Sequence, residues 1–175
     1  AKTSLPESIE TSHYVARIDP ATGAIVSLKL KPSGREMLGG PANVVLAEEK
    51  ADQHIVPEKE KRKLLASSSQ VKPFITVTTG KLATIVEARS PFHGGGELRR
   101  VIRFHNDSPR IDFVTETNGL PDGTILSVEF PLADDIVEMR RGIPFGFSHG
   151  DCVNGVPGVT GLTKAIPELS VAGAG

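Results

Sequence analysis

Wherever this chain is apolar it alternates: a residue suited to an interior is followed by one suited to water, in short runs broken by tight turns. Period two is the signature of a half-buried strand. Tyr14, Ala16 and Ile18 alternate with Val15, Arg17 and Asp19. The stretch Asp19-Pro20-Ala21-Thr22-Gly23 follows, its Pro fixing φ and its Gly free to take positive φ. A second run, Ala24 to Leu30, sets Ile25, Ser27 and Lys29 on one face and Val26, Leu28 and Leu30 on the other. Two such runs around a Pro…Gly turn predict a β-hairpin. Lys31-Pro32-Ser33-Gly34 marks the next turn, ahead of Arg35-Glu36-Met37-Leu38 and a strand over Asn43 to Ala47.

The same alternation resumes from Phe74 to Phe130. Phe74, Thr76 and Thr78 alternate with Ile75, Val77 and Thr79, and Gly80 turns the chain. Lys81 to Arg89 sets Leu82, Thr84 and Val86 against Ala83, Ile85 and Glu87. After Gly94-Gly95-Gly96, the run Glu97 to His105 places Leu98, Arg100, Ile102 and Phe104 opposite Arg99, Val101 and Arg103. Asn106-Asp107-Ser108-Pro109 turns into Arg110 to Glu116, and Pro121-Asp122-Gly123 turns into Thr124 to Phe130. Parallel strands need crossovers of about a dozen residues or more, usually helical, and these turns are too short for them. The expected fold is therefore all-β, an antiparallel β-sandwich. Gly (18) and Pro (13) are abundant in the 175 residues, which suits strands and turns better than helices.

Two segments depart from this pattern. Glu48 to Lys63 holds ten charged residues in sixteen, and Pro57 together with the lack of an apolar stripe favours a solvated loop over a helix at Glu58 to Leu65. Gly142 to Gly161 contains six Gly and two Pro, and no strand can be placed in it. Residues 142–175 read as a Gly- and Pro-rich tail whose order the sequence does not specify. The chain begins at Ala1 without Met and ends in Val171-Ala172-Gly173-Ala174-Gly175, so residues 1–175 are expected to form a single sandwich module that is a piece of something larger.

Charge and cysteine content narrow the partners. Twenty basic and 21 acidic residues leave a formal charge of −1, without the basic surplus that nucleic acid or an anionic membrane demands. No apolar stretch approaches the ~18 residues of a spanning helix. The single cysteine, Cys152, excludes an internal disulfide framework.

The motifs that suggest chemistry are weak. His93-Gly94-Gly95-Gly96 and Gly146-Phe147-Ser148-His149-Gly150 have the form of a lipase oxyanion loop and a nucleophile elbow. That chemistry needs a base His downstream of the Ser, and the one at hand, His149, is its immediate neighbour. A hairpin loop explains His93 to Gly96 better. His149, Asp151 and Cys152 supply too few ligands for a closed zinc site, and the other His residues lack partner spacing. Asp134, Asp135 and Glu138 are glycosidase carboxylates by type alone, since neighbours on a strand point to opposite faces. No catalytic and no metal-binding residue is assigned. Arg140, Arg141, Phe145, Phe147, His149 and Asp151 remain as candidates for a sugar-binding lip, with rings for stacking and Arg for hydroxyls. The competing reading makes both Phe residues core anchors.

The segment Tyr14 to Leu28, followed by Lys31-Pro32-Ser33-Gly34-Arg35-Glu36-Met37-Leu38, resembles the opening of the β-sandwich in glycoside hydrolase family 38, the α-mannosidase-like enzymes. Leu98 to Asn106, Arg110 to Glu116 and Leu126 to Pro131 look like the same domain's continuation, so that the resemblance covers about Tyr14 to Phe147. It implies a fold like that of galactose mutarotase. It also implies an N-terminal catalytic domain of the same parent chain as partner, which would carry the zinc and the aspartate nucleophile, so no cofactor is expected in this chain. Glu48 to Lys63 and the absence of Trp depart from the family's pattern. The expected function is a non-catalytic sandwich that supports the catalytic domain of a glycoside hydrolase and lines its carbohydrate cleft through Arg140 to Asp151. The alternative is an independent carbohydrate-binding or adhesion module.

Overall fold

The computed structural model describes residues 2–49 and 63–134 and, beyond them, the strands given below. The chain forms two compact units, Ala1–Pro131 and Leu132–Gly175.

Among its described residues the first unit holds eleven strands: β1 (Lys2–Thr3), β2 (Ile9–Glu10), β3 (Tyr14–Ile18), β4 (Ile25–Leu30), β5 (Val44–Glu49), β6 (Leu64–Ser67), β7 (Phe74–Thr79), β8 (Ala83–Pro91), β9 (Glu97–His105), β10 (Ile111–Asn118) and β11 (Thr124–Glu129). Among the described residues the only helical pieces are single 3₁₀ turns at Ser68–Gln70 and His93–Gly95. All pairings are antiparallel, in a five-stranded sheet of order β1-β7-β8-β9-β10 and two three-stranded sheets, β2-β3-β4 and β11-β5-β6. The all-β antiparallel sandwich expected from the alternation is what forms.

The small sheets lie side by side over one face of the large one. Tyr14, Ala16, Ile18 and Ile25 meet Val77, Val86, Ile102 and Phe104 in one core cluster. Val45 and Ala47 meet Phe92 and Leu98 in the other. Mutual backbone hydrogen bonds between Ile25 and Ala42, 3.0 and 2.8 Å, join the small sheets. Leu126 and Val128 pair with Ala47 and Val45 and so turn the same way, yet both stay partly open to solvent. Phe113 and Phe130 pack edge to face at 4.9 Å and are open as well. The sandwich thus presents an apolar margin along β10 and β11.

Several details differ from a strict reading of the alternation. The alternation puts Ile25 and Leu28 on opposite faces, but a bulge between Arg17 and Ile18 shifts the register so that Ile18 pairs with Ile25 and Ala16 with Leu28. Both then pack on the same core, because one extra residue in a strand inverts every later side chain. The strand expected over Asn43 to Ala47 runs Val44–Glu49, into the charged segment, and β6 begins directly after Lys63. Glu48 and Glu49 extend the central strand of the β11-β5-β6 sheet by pairing with Ile125 and Thr124 of β11, so the charge run hid these strand ends. The loop expected between Glu48 and Lys63 otherwise falls on residues 50–62, outside the described residues.

The second unit contains β12 (Glu138–Ile143), β13 (Gly146–Gly150) and β16 (Glu168–Ala172) in a sheet of order β13-β12-β16, with β14 (Cys152–Val153) paired to β15 (Val156–Pro157). β13, β14 and β15, with the end of β12, fall in Gly142 to Gly161, where the sequence places no strand. Glycine is a poor strand former with no side chain to alternate, so pairing here is visible only in the backbone.

Candidate functional site

The residues singled out for a sugar-binding lip fall on the second unit. Arg140 and Arg141 lie on β12, Phe147 and His149 on β13, while Phe145 and Asp151 lie outside the described residues. The register places Arg140 opposite His149, Arg141 opposite Ser148 and Gly142 opposite Phe147. Ser148 is the middle of a strand, not the strand-to-helix turn that a nucleophile elbow requires.

His93-Gly94-Gly95-Gly96 is a hairpin loop between β8 and β9. Phe92 N–H donates to the Gly96 carbonyl at 2.7 Å and Gly96 N–H to the His93 carbonyl at 3.1 Å. Two of its glycines serve close packing. A Cβ on Gly96 would sit 2.7 Å from the Asn118 carbonyl oxygen, and one on Gly94, whose φ is +66°, would sit 2.3 Å from Pro121 Cγ. The loop is therefore clasped against the turn that leaves β10.

Beside this clasp opens a cleft of about 650 Å³, within the size range of small-molecule sites. Arg89, Glu97, Arg99, Glu116 and Asn118 bring charged and polar groups to it, and Gly95 and Gly96 line it as well. Arg99 is its central cation. Its Nε and Nη2 donate to the two oxygens of Glu87 at 3.1 and 3.2 Å, and its Nη1 donates to Glu116 at 2.6 Å. Arg89 Nε donates to the same Glu87 at 2.5 Å. The hydrogen bonds from Arg99, then Arg89, hold the Glu87 carboxyl below the usual carboxylate range against the opposing effect of burial. The same bonds, to Glu87 and then Glu116, push the Arg99 guanidinium up. The sequence reading missed this cleft, since its charges are scattered over three strands and meet only through register.

A second arginine, Arg100, points the other way. It is 2% exposed, and its Nη1 donates to the Asn43 carbonyl at 2.9 Å while Nη2 donates to the Thr22 carbonyl at 2.5 Å. Burial pushes its pKa down. The family-like turn explains the second acceptor. Asp19 takes the Ala21 N–H at 2.9 Å and the Thr22 hydroxyl at 2.7 Å, and Gly23, at φ +70°, has Arg100 Nη2 only 3.1 Å from where a Cβ would stand. Asn43, itself in left-handed conformation at φ +61°, presents the other carbonyl. Arg100 thus ties the large sheet to the line where the small sheets join. A signal existed: the alternation put this one charge on the apolar face of Leu98, Ile102 and Phe104.

The Gly34-Arg35-Glu36 motif also has a local role. Burial raises the Glu36 pKa, but the Ser27 hydroxyl at 2.5 Å and the N–H groups of Leu28, Leu38 and Met37 at 2.8, 3.1 and 3.1 Å outweigh it, and the net shift is downward.

Among the described residues no three His, Cys, Asp or Glu side chains converge to hold a metal ion. His105 and Asp112, 2.8 Å apart, make one pair that Arg110 closes at 2.5 Å, a charge cluster and not a donor set for zinc. No helix among them is long and apolar enough to cross a membrane. The family model described as the glycosyl hydrolases family 38 C-terminal domain matches residues 9–149. No curated protein matches the chain.

Proposed function

This chain belongs to the glycosyl hydrolases family 38 C-terminal domain family, a domain of glycoside hydrolases, and from that premise we propose that it is the non-catalytic sandwich of an α-mannosidase-like enzyme. Its task is to support the catalytic domain of the same parent chain and to wall one side of the carbohydrate cleft through Arg140 to Asp151. The match over residues 9–149 carries this reading. The apolar margin of Phe113, Leu126, Val128 and Phe130 supports it, because apolar surface left open on a domain is suited to a partner.

The test is hydrolysis of an aryl α-mannoside by the 175-residue chain, by the parent enzyme, and by the parent with Arg141→Ala. The expected results are no turnover by the chain alone, and in the parent a raised KM with Arg141→Ala as a sugar contact is lost. Turnover by the chain alone would refute the supporting role. Unchanged kinetics of the Arg141 variant would remove that strand from the cleft.

A further inference from the structure

The outward face of the five-stranded sheet carries an unassigned surface. One row of register partners crosses four strands: Phe74 opposite Arg89, Arg89 opposite Arg99, Arg99 opposite Glu116. Three inter-strand spacings make that row about 14 Å long, more than one pyranose ring. Phe74 is 73% exposed, a bare aromatic ring at the end of the row. A second cleft of about 330 Å³ runs along Phe74, Thr76, Thr78 and Glu87, and Arg89 lines both it and the 650 Å³ cleft.

The chemistry of this row is specific. Two arginines directly opposite each other across strands destabilise a sheet unless something holds them. Here one carboxylate, Glu87, binds both, and Glu116 binds Arg99 from the other side. Glu87 and Glu116 offset the charges of Arg89 and Arg99, and Glu97 leaves the cleft one carboxylate in excess, which does not fit a phosphate; among the described residues no three carboxylate or imidazole groups converge to hold a metal ion. What remains is a fixed array of guanidinium donors and carboxylate acceptors, with threonine hydroxyls and an aromatic ring beside it. Hydroxyl groups that both donate and accept match such an array. C–H groups match the negative face of the ring.

We infer that this face is an oligosaccharide subsite, with a pyranose stacked on Phe74 and the following sugars laid along Arg89, Arg99 and Glu116 toward Asn118. The choice of a saccharide among neutral polyols rests on the family reading above. The site is distinct from the Arg140 to Asp151 segment and lies wholly on the first unit.

The test is a titration of the full 175-residue chain, followed by backbone amide NMR, with α-mannobiose, α-mannotriose, maltotriose and inorganic phosphate. The expected result is saturable shifts on β7 to β10 with a saccharide, weakened about tenfold by Phe74→Ala or Arg89→Ala, the loss typical of truncating an anchoring contact. Both side chains are exposed, so the variants should keep the wild-type spectrum elsewhere. Saturable binding of maltotriose but not of the mannosides would uphold the subsite and overturn the mannoside part of the proposed function. No saturable shift with any saccharide, shifts with phosphate alone, shifts confined to β12 and β13, or binding indifferent to Phe74→Ala would each overturn the subsite and leave the supporting role standing.

Discussion

Arg100 is where a single substitution reports most about how this sandwich is held together. Its fork spans two carbonyls contributed from distant parts of the chain, Thr22 and Asn43, and its Nε finds no partner among the described residues. Arg100→Lys keeps the charge but replaces a rigid fork by a compact, more strongly hydrated ammonium that reaches one carbonyl. The lost bond is to a charged donor, and the carbonyl left behind is buried, which sets the cost near the upper end of such losses, about 3 kcal/mol. Arg100→Met loses both bonds, yet it also removes the several kcal/mol spent on desolvating the charge. Its net cost is expected to be smaller, about 1–2 kcal/mol. The chain has no Trp, so urea unfolding is best followed by far-ultraviolet circular dichroism at the strand signal. The midpoint should fall in the order wild type, Met, Lys with the slope unchanged, and the Lys variant should melt ~10 °C lower. A Lys variant within about 0.5 kcal/mol of wild type, or one more stable than the Met variant, would show that the two-carbonyl clamp does not hold the sheets together.

Two further outcomes test the smaller devices. Gly96→Ala drives a Cβ into the Asn118 carbonyl, so it is expected to cost about 1–3 kcal/mol and to speed amide exchange in both clasped turns; unchanged exchange would show the loops are not clasped. Glu36 has a folded pKa below its unfolded value, so the stability it contributes is present above about pH 4.3 and disappears as pH falls through the lower folded value. Glu36→Gln should therefore cost about 1 kcal/mol at neutral pH and flatten the acid dependence of the melting temperature, whereas an equally steep acid dependence would place the titrating group elsewhere.

The features that mark the family are structural ones in this chain. Asp19 and Gly23 shape a turn whose product is a correctly aimed Thr22 carbonyl, and Glu36 secures the backbone of the following loop. None of these residues lines the clefts described above. That agrees with a domain whose recognisable sequence secures a framework.

The hairpin of β3 and β4 and the meander from β7 to β11 were legible because alternation and turn chemistry are local: a residue, its neighbours and the glycine that ends the run are enough. The bulge at Arg17 and Ile18 was not, since it is defined by which residue of the partner strand stands opposite. The charge-rich approach to β6 and the glycine-rich strands β12 and β13 were hidden for a related reason, as pairing with a neighbour sustains a strand that its own residues do not announce.

From its order of side chains alone this protein was committed to strands, to antiparallel pairing and to one apolar face on each ribbon, because those follow from the two-residue period of an extended backbone. Tertiary structure decided the rest. It brought Arg100 to partners 57 and 78 residues away, set two arginines side by side on one carboxylate, and closed two loops onto each other beside a cleft. Each depends on register between segments far apart in the chain, and register is a property of the assembled sheet, not of any run within it.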